Sequence, residues 1–323
     1  MPTPLYMYLS ESEWDERIAA ADALAASCAL CPRQCGAHRF AGDIGYCGAG
    51  ATLDISSVFS HHGEEPPISG TQGSGTVFFS HCSLQCCFCQ NYQISQQGEG
   101  SIYSLEAFAT ALLSLQKQKV HNINFVTGTH YIPWILKAAR IAIGQGLCLP
   151  LVWNSSGYET VQAMALLKGI VDIYLPDMKY GINDSALEYC NAGDYVEINR
   201  DAVREMFRQV GPLKVGKNGV AYRGMCIRHL VLPFDKSRSQ EVADFIAKTF
   251  DPADITVSLM AQFRPMHKAG DYPELSRKIT KEEYLRVQEL FEGIGVNLFC
   301  QEQESLDDRF CIDFTKRNTE ELK

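Results

Sequence analysis

Three cysteines in the run Ser80-His81-Cys82-Ser83-Leu84-Gln85-Cys86-Cys87-Phe88-Cys89-Gln90-Asn91 fall in the spacing C-x3-C-x2-C. Cysteine thiolates are the ligands of iron-sulfur clusters, and a cubane cluster holds four irons, so three ligands in one compact run leave one iron without a protein sulfur. A metal with an open position is available for chemistry; the rule is stated for zinc, but it rests only on ligand count. Core packing is the plainer explanation of any single cysteine, and a zinc knuckle of a group. Four cysteines within eight residues are too dense for packing, and a zinc site would need a distant second pair. Cys87 is the surplus member. In place of Cys86 it would give spacings of four and one, so it is read as non-ligating.

A second group precedes it. Cys28, Cys31, Cys35 and Cys47 are spaced C-x2-C-x3-C-x11-C, with Gly42 and Gly45 in the last interval to let the backbone turn tightly around a metal. Four thiolates complete a ligand set, which points to an auxiliary iron-sulfur cluster or a structural zinc. Scattered buried cysteine is the alternative, and spacing does not choose between the metals. The chain has 13 cysteines and no secretion signal, which fits metal ligation in a reducing compartment better than disulfides.

These groups need a scaffold. The 323 residues are 46% hydrophobic, enough for a barrel-sized core. A formal net charge of −9 argues against a nucleic-acid or anionic-membrane footprint. No apolar run is long enough to span a membrane, and residues 1–16 lack a basic then apolar leader, so a cytoplasmic protein is expected. Residues 11–26 read as a short alanine-rich helix. Residues 60–75 carry His61, His62, Glu64, Glu65, Pro66-Pro67 and several glycines; they read either as a linker or as a segment that places His62, Glu64 and Glu65 at the active-site border.

From residue 76 onward short apolar runs, at 76–79, 122–126, 147–152, 171–175, 226–232, 255–259 and 296–300, alternate with helical patterns. One helix is capped by Ser104, another ends at Gly144 and a third before Gly169. Apolar strands separated by helices predict a parallel sheet covered on its outer face. The expected fold is α/β, a partial (β/α)6-type parallel barrel at 76–323 with an N-terminal cysteine-rich extension at 1–75. Barrel chemistry sits just beyond the carboxyl ends of strands. Polar residues recur there: Thr127-Gly128-Thr129-His130, Asn154-Ser155-Ser156, Asp177-Met178-Lys179, Arg228-His229 and Gln262 to Lys268. Alternation aims Asp177 and Lys179 to one side.

With these residues in place, the chain resembles the radical S-adenosylmethionine (SAM) superfamily, in which SAM chelates the open iron of a [4Fe-4S] cluster. More narrowly it resembles the PflX branch of pyruvate formate-lyase activating enzyme homologues. The resemblance rests on the two cysteine groups, His62-Gly63-Glu64-Glu65-Pro66, Gly73-Ser74-Gly75-Thr76, Asn154-Ser155-Ser156-Gly157-Tyr158, Tyr174 to Lys179 and Arg228 to Pro233, and it covers roughly residues 28–301. It implies that Cys82, Cys86 and Cys89 bind the cluster and that Phe88 and Gln90 touch SAM. It further implies that Gly128 stands by the SAM amino group, where Thr129 replaces the usual Glu. Asp177 and Lys179 would hold the amino acid and ribose, and His267 would make a further SAM contact. The implied activity is reductive cleavage of SAM to methionine and a 5′-deoxyadenosyl radical, which takes hydrogen from a substrate. The implied substrate is a glycyl residue of a partner glycyl radical enzyme, or else a peptide or small molecule. The implied electron source is a low-potential donor such as flavodoxin or ferredoxin. A non-catalytic iron-sulfur electron carrier is the competing reading, since a carrier needs clusters but no SAM pocket.

Overall fold

The computed structural model describes residues 2–301 together with Ile312 and Phe314; the rest of the 76–323 span expected as barrel lies outside the described residues. A 3-10 turn at Leu5–Tyr8 leads into α1 (Glu11–Ala26). Ser10 and Glu13 close a reciprocal capping box at its start, which satisfies backbone donors that a helix N-terminus leaves open. The cysteine-rich loop follows, then β1 (Leu53–His61), α2 (Pro66–Ser69), β2 (Ser74–Phe79), α3 (Tyr92–Ser95) and β3 (Ser101–Tyr103). The repeating part comes next: α4 (Leu105–Lys117), β4 (Ile123–Val126), α5 (Ile132–Gly144), β5 (Leu151–Ser155), α6 (Val161–Leu167) and β6 (Ile173–Pro176). After α7 (Asn183–Cys190) and α8 (Tyr195–Val210) come the short β7 (Lys214–Val215), β8 (Ala221–Leu230), α9 (Ser239–Thr249), β9 (Thr256–Met260), α10 (Lys281–Ile294) and β10 (Asn297–Cys300).

Seven strands, β2, β4, β5, β6, β8, β9 and β10, are parallel neighbours in that order. The sheet is not closed. Beyond β2 it continues antiparallel through β1 to β3, and its other end is β10. This is the expected α/β partial barrel, with all seven parallel strands where short apolar runs had been read. The third lies further along the chain than its apolar run at 147–152. Pro150 cannot donate to a ladder, and the carbonyls of Leu147 and Leu149 accept from the Tyr6 hydroxyl (3.4 and 2.8 Å), so pairing begins at Leu151.

Alternation along the strands separates two cores. Phe125, Trp153 and Tyr174 face outward into the layer shared with the helices, where Leu112, Leu136 and Met206 are buried. Val152, Ile173, Leu175 and Cys226 face inward and meet Ile68 of α2 inside the barrel. The segment read as a linker or an active-site border is therefore partly a barrel plug. Asn122 Nδ2 donates to the Ile68 carbonyl (2.8 Å) and holds it there.

Candidate functional site

A cavity of about 630 Å3 opens at the carboxyl ends of the parallel strands. Each strand contributes: Phe79 from β2, Val126 and Thr127 from β4, Asn154 and Ser155 from β5, Asp177 after β6, Arg228 and Leu230 from β8, Ser258 and Met260 from β9, and Leu298 to Gln301 from β10 and beyond. Cys82, Cys86 and Cys89 all line this cavity, whereas Cys87 does not. Cys87 turns away because its backbone is pinned on both sides: its N–H donates to Tyr189 O and its carbonyl accepts from Lys268 N (both 2.8 Å).

The three cavity thiols feel one another. Burial, then the charge of Cys86, pushes Cys82 up to about 12, and burial with Cys86 pushes Cys89 up to about 11. Cys86 is raised first by hydrogen bonding with the neighbouring Cys190 thiol and then by burial; both cysteines are free. Cys190 was not singled out from sequence; it sits at the end of α7 and also bonds Tyr180 Oη (3.1 Å). Raised thiol values are what a desolvated ligand set shows without a cation to hold it deprotonated. Among the described residues no three His, Cys, Asp or Glu side chains are arranged around a single metal ion. A four-iron cluster does not require that, because each thiolate binds a different iron. The three converging thiols fit such a cluster.

Asp177 and Lys179 point into the cavity together and form an ion pair, as their alternation predicts. Burial works against the Lys179 charge, but Asp177 and the neighbouring Cys86 hold its ammonium well above the usual lysine range. Behind them Tyr195 Oη donates toward the carbonyls of Ser156 (2.9 Å) and Asp177 (3.1 Å) and accepts from Lys179 N (3.0 Å). His229 is locked between Met178 O (2.6 Å) and Ser239 Oγ (2.9 Å), and burial pulls it down to about 4. It is a neutral positioning group for the Asp177–Lys179 loop.

Next to this pair, on the adjacent strand β8, lies a second charged group, with Arg228 the bridge partner of Asp177. Arg228 forms a two-pronged contact with Glu65 (Nε to Oε1 and Nη2 to Oε2, both 2.7 Å) and also pairs with Glu64. Asn124 Nδ2 donates to Glu64 Oε1 (2.9 Å). Burial opposes ionisation of Glu65, yet Arg228 holds its carboxyl below the usual range. His61, Gly63, Glu64 and Glu65 all line the cavity; His62 is not among its lining residues and instead contacts Ser60 Oγ (3.4 Å).

Phe88 and Gln90 also line the cavity. Phe88 packs edge-on to Phe263 (5.6 Å), and Gln90 Nε2 donates to Gln262 O (2.7 Å). Gly128 and His267 are not among its lining residues. Gly128 backs onto Trp153 and Ile135, where a Cβ would meet their side chains within 3 Å. His267 stacks on Tyr92 (4.9 Å) and bonds Gln96 Oε1 (3.0 Å).

The second cysteine group lies beside this loop. Cys28, Cys31 and Cys47 are buried and Cys35 is exposed. Burial raises Cys31 to about 12 and Cys47 to about 11. Arg33, between Cys31 and Cys35, donates to Ser83 O (3.0 Å), Cys190 O (2.8 Å) and Asn191 O, with its guanidinium over Tyr46 (4.4 Å). It ties the two cysteine loops together.

The fold and the cavity define an open parallel α/β barrel with three thiols lining the cavity at the carboxyl ends of its strands. No family model matches the chain. It is 30% identical over 299 residues to Uncharacterized protein MJ0674 of Methanocaldococcus jannaschii, across 90% of this chain and 82% of that protein. The chain belongs to the same family as that archaeal protein. Among solved structures it is similar to a radical SAM methyltransferase from Sphaerobacter thermophilus (TM-score 0.48, 12% identity, 72% of this chain and 67% of the other). It is also similar to methylornithine synthase PylB (TM-score 0.44, 14% identity, 92% and 80%). Among the described residues no helix is long and apolar enough to cross a membrane.

Proposed function

We propose that the protein is a radical SAM enzyme. The observation that carries this reading is that the three thiols of the C-x3-C-x2-C run open into one cavity ringed by the carboxyl ends of seven parallel strands. Cys82, Cys86 and Cys89 would hold a [4Fe-4S] cluster with one iron left for the amino and carboxylate groups of SAM. When bound, a reduced cluster would supply one electron to the SAM sulfonium, breaking its carbon-sulfur bond to give methionine and a 5′-deoxyadenosyl radical for hydrogen abstraction; the chemistry belongs to the cofactors, and the protein positions it.

The chain's own residues do the rest. Lys179 and Asp177 offer one cation and one anion beside Cys86, a pairing suited to the zwitterionic amino acid end of SAM and its ribose hydroxyls. Phe88 supplies an apolar wall next to the last thiol, and Gln90 is held in place by Gln262. Arg228, Glu64 and Glu65 line the cavity on the neighbouring strand, where a substrate would sit next to SAM. Gly128 and His267 keep the SAM-contact roles assigned by resemblance only if SAM reaches past the walls of this cavity.

The hydrogen donor proposed from the activating-enzyme resemblance is a glycine Cα–H of a partner glycyl radical enzyme, with a flavodoxin- or ferredoxin-type protein as reductant. The test is anaerobic reconstitution, dithionite reduction and assay of 5′-deoxyadenosine. Product formation that depends on the cluster supports the enzyme; a protein loaded with about four irons at this site that releases none is a carrier instead. Deuterium transfer from a labelled candidate donor into 5′-deoxyadenosine then separates a protein glycine from a free metabolite.

A further inference from the structure

We propose that Cys28, Cys31, Cys35 and Cys47 hold a second metal centre through four thiolates, and that the buried guanidinium of Arg39 balances its negative charge. This stands independently of the activity proposed for the cavity.

The four thiols converge. Backbone hydrogen bonds from Cys28 N to Ala37 O (3.0 Å) and from Gly36 N to Cys28 O (3.1 Å) fold the loop so that Cys28 lies beside Cys35, and Cys28 and Cys47 are near enough for their charges to act on Cys31. Gly45 fits between two of them: a Cβ there would stand 3.3 Å from Cys35 Sγ and 3.6 Å from Cys47 Sγ. Any larger residue would crowd the sulfurs.

Arg39 is the independent observation. It is 0% exposed, although guanidinium stays charged in proteins and its isolated burial is costly. Its Nε donates to Gly50 O (2.7 Å) and its Nη1 to His130 O (3.3 Å), while Nη2 has no hydrogen-bond partner. Trp134 and Tyr131 lie against the guanidinium (5.2 and 5.9 Å). Among the described residues no carboxylate is ion-paired with it; Asp54, which is nearby, pairs with His81 (3.4 Å). Cys28 and Cys47 are among the groups close enough to feel its charge. Four neutral thiols would leave the buried cation without a paired counter-charge. A metal keeps its ligating thiols deprotonated, and the resulting net negative set gives the guanidinium its counter-charge. Thiolate-rich sites select zinc or iron-sulfur clusters.

The test uses the full chain with Cys82, Cys86 and Cys89 all replaced by alanine, purified anaerobically and offered either zinc or iron with sulfide. Iron at about four per chain with matching acid-labile sulfide, or one zinc per chain, is expected, and which of the two is retained identifies the metal. Adding Cys35→Ser, an exposed position, should abolish retention while circular dichroism stays native. Arg39→Gln should weaken metal retention against a chelator about 10–100-fold, the usual effect of losing an outer partner, with Arg39→Lys recovering part of it. No metal bound in the triple variant under either condition, or metal content indifferent to Cys35→Ser, overturns the site. Unchanged chelator competition in Arg39→Gln overturns the role of Arg39.

Discussion

The two ends of the parallel strands treat charge differently. At the amino ends, Asp172 precedes β6 and spends its carboxylate on backbone: Oδ1 accepts from Leu5 N (2.9 Å), Oδ2 from Leu151 N (3.1 Å), with Arg223 at 3.7 Å. Tyr6 likewise donates to main-chain carbonyls, so the 3-10 turn seals that end. At the carboxyl ends, Asp177 with Lys179 and Arg228 with Glu64 and Glu65 bond side chain to side chain around a void. Polar groups that satisfy backbone hold the fold, while polar groups that satisfy each other beside a cavity remain available to a ligand. This division matches the general one between the stability and catalytic faces of β/α barrels.

The comparison can be broken in order of expected effect. Cys86→Ala should reduce 5′-deoxyadenosine formation to background while the circular dichroism spectrum is kept; residual turnover near the parent rate would remove the cluster reading. Arg228→Met strands two buried carboxylates, and loss of one partner of a buried pair costs about 3–5 kcal/mol, to be read by urea denaturation. A loss under about 1 kcal/mol would mean the pair is solvated and belongs with surface charges. Asp177→Asn removes the charge facing Lys179, and a charged hydrogen bond contributes about 1.5–3 kcal/mol. Binding of SAM by calorimetry should therefore weaken about 10–100-fold with stability little changed; the reverse pattern would move Asp177 to the structural side.

At the amino end the effects are on stability alone. Burial raises Asp172 to about 6. A carboxyl whose folded value is raised stabilises the fold least when ionised: below about 4 both states are protonated, and from there to about 6 the unfolded chain ionises first, so native stability falls as pH rises. Asp172→Asn abolishes that dependence but leaves one N–H without its acceptor, at about 1–3 kcal/mol. The variant should be clearly weaker at pH 4.5 and closer to the parent at pH 7.5. A gap that widens with pH contradicts the raised value. Tyr6→Phe is the mildest case, about 1 kcal/mol, with SAM cleavage unchanged.

Much of the carboxyl end was legible because barrel strands are buried on both faces and read as near-continuous apolar runs, as at the end of β2 and in β6. Asp177 and Lys179 followed from period two, and Ser104 caps α4 as its sequence position indicates (3.1 Å to Ala107 N). β1 was not legible. Its serines interrupt the alternation, and a bulge between Ile55 and Ser57 shifts its register, so no strand pattern survives in the sequence. The pairing of Arg228 with Glu64 and Glu65 joins positions 164 and 163 residues apart, which no local pattern reports. Arg39 was missed for a related reason: a charged residue in a polar loop gives no sign that it will be fully enclosed.

Arg33 imposes an order on biosynthesis. The amino-terminal loop leaves the ribosome first, yet the carbonyls that its guanidinium grips lie 50, 157 and 158 residues later. The clamp on the early loop cannot close until the chain has been made past Asn191. Closure over such a span is slow compared with local structure, so oxygen present during translation is expected to lower the yield of folded protein more than the same exposure afterwards, a difference that expression with timed aeration would measure.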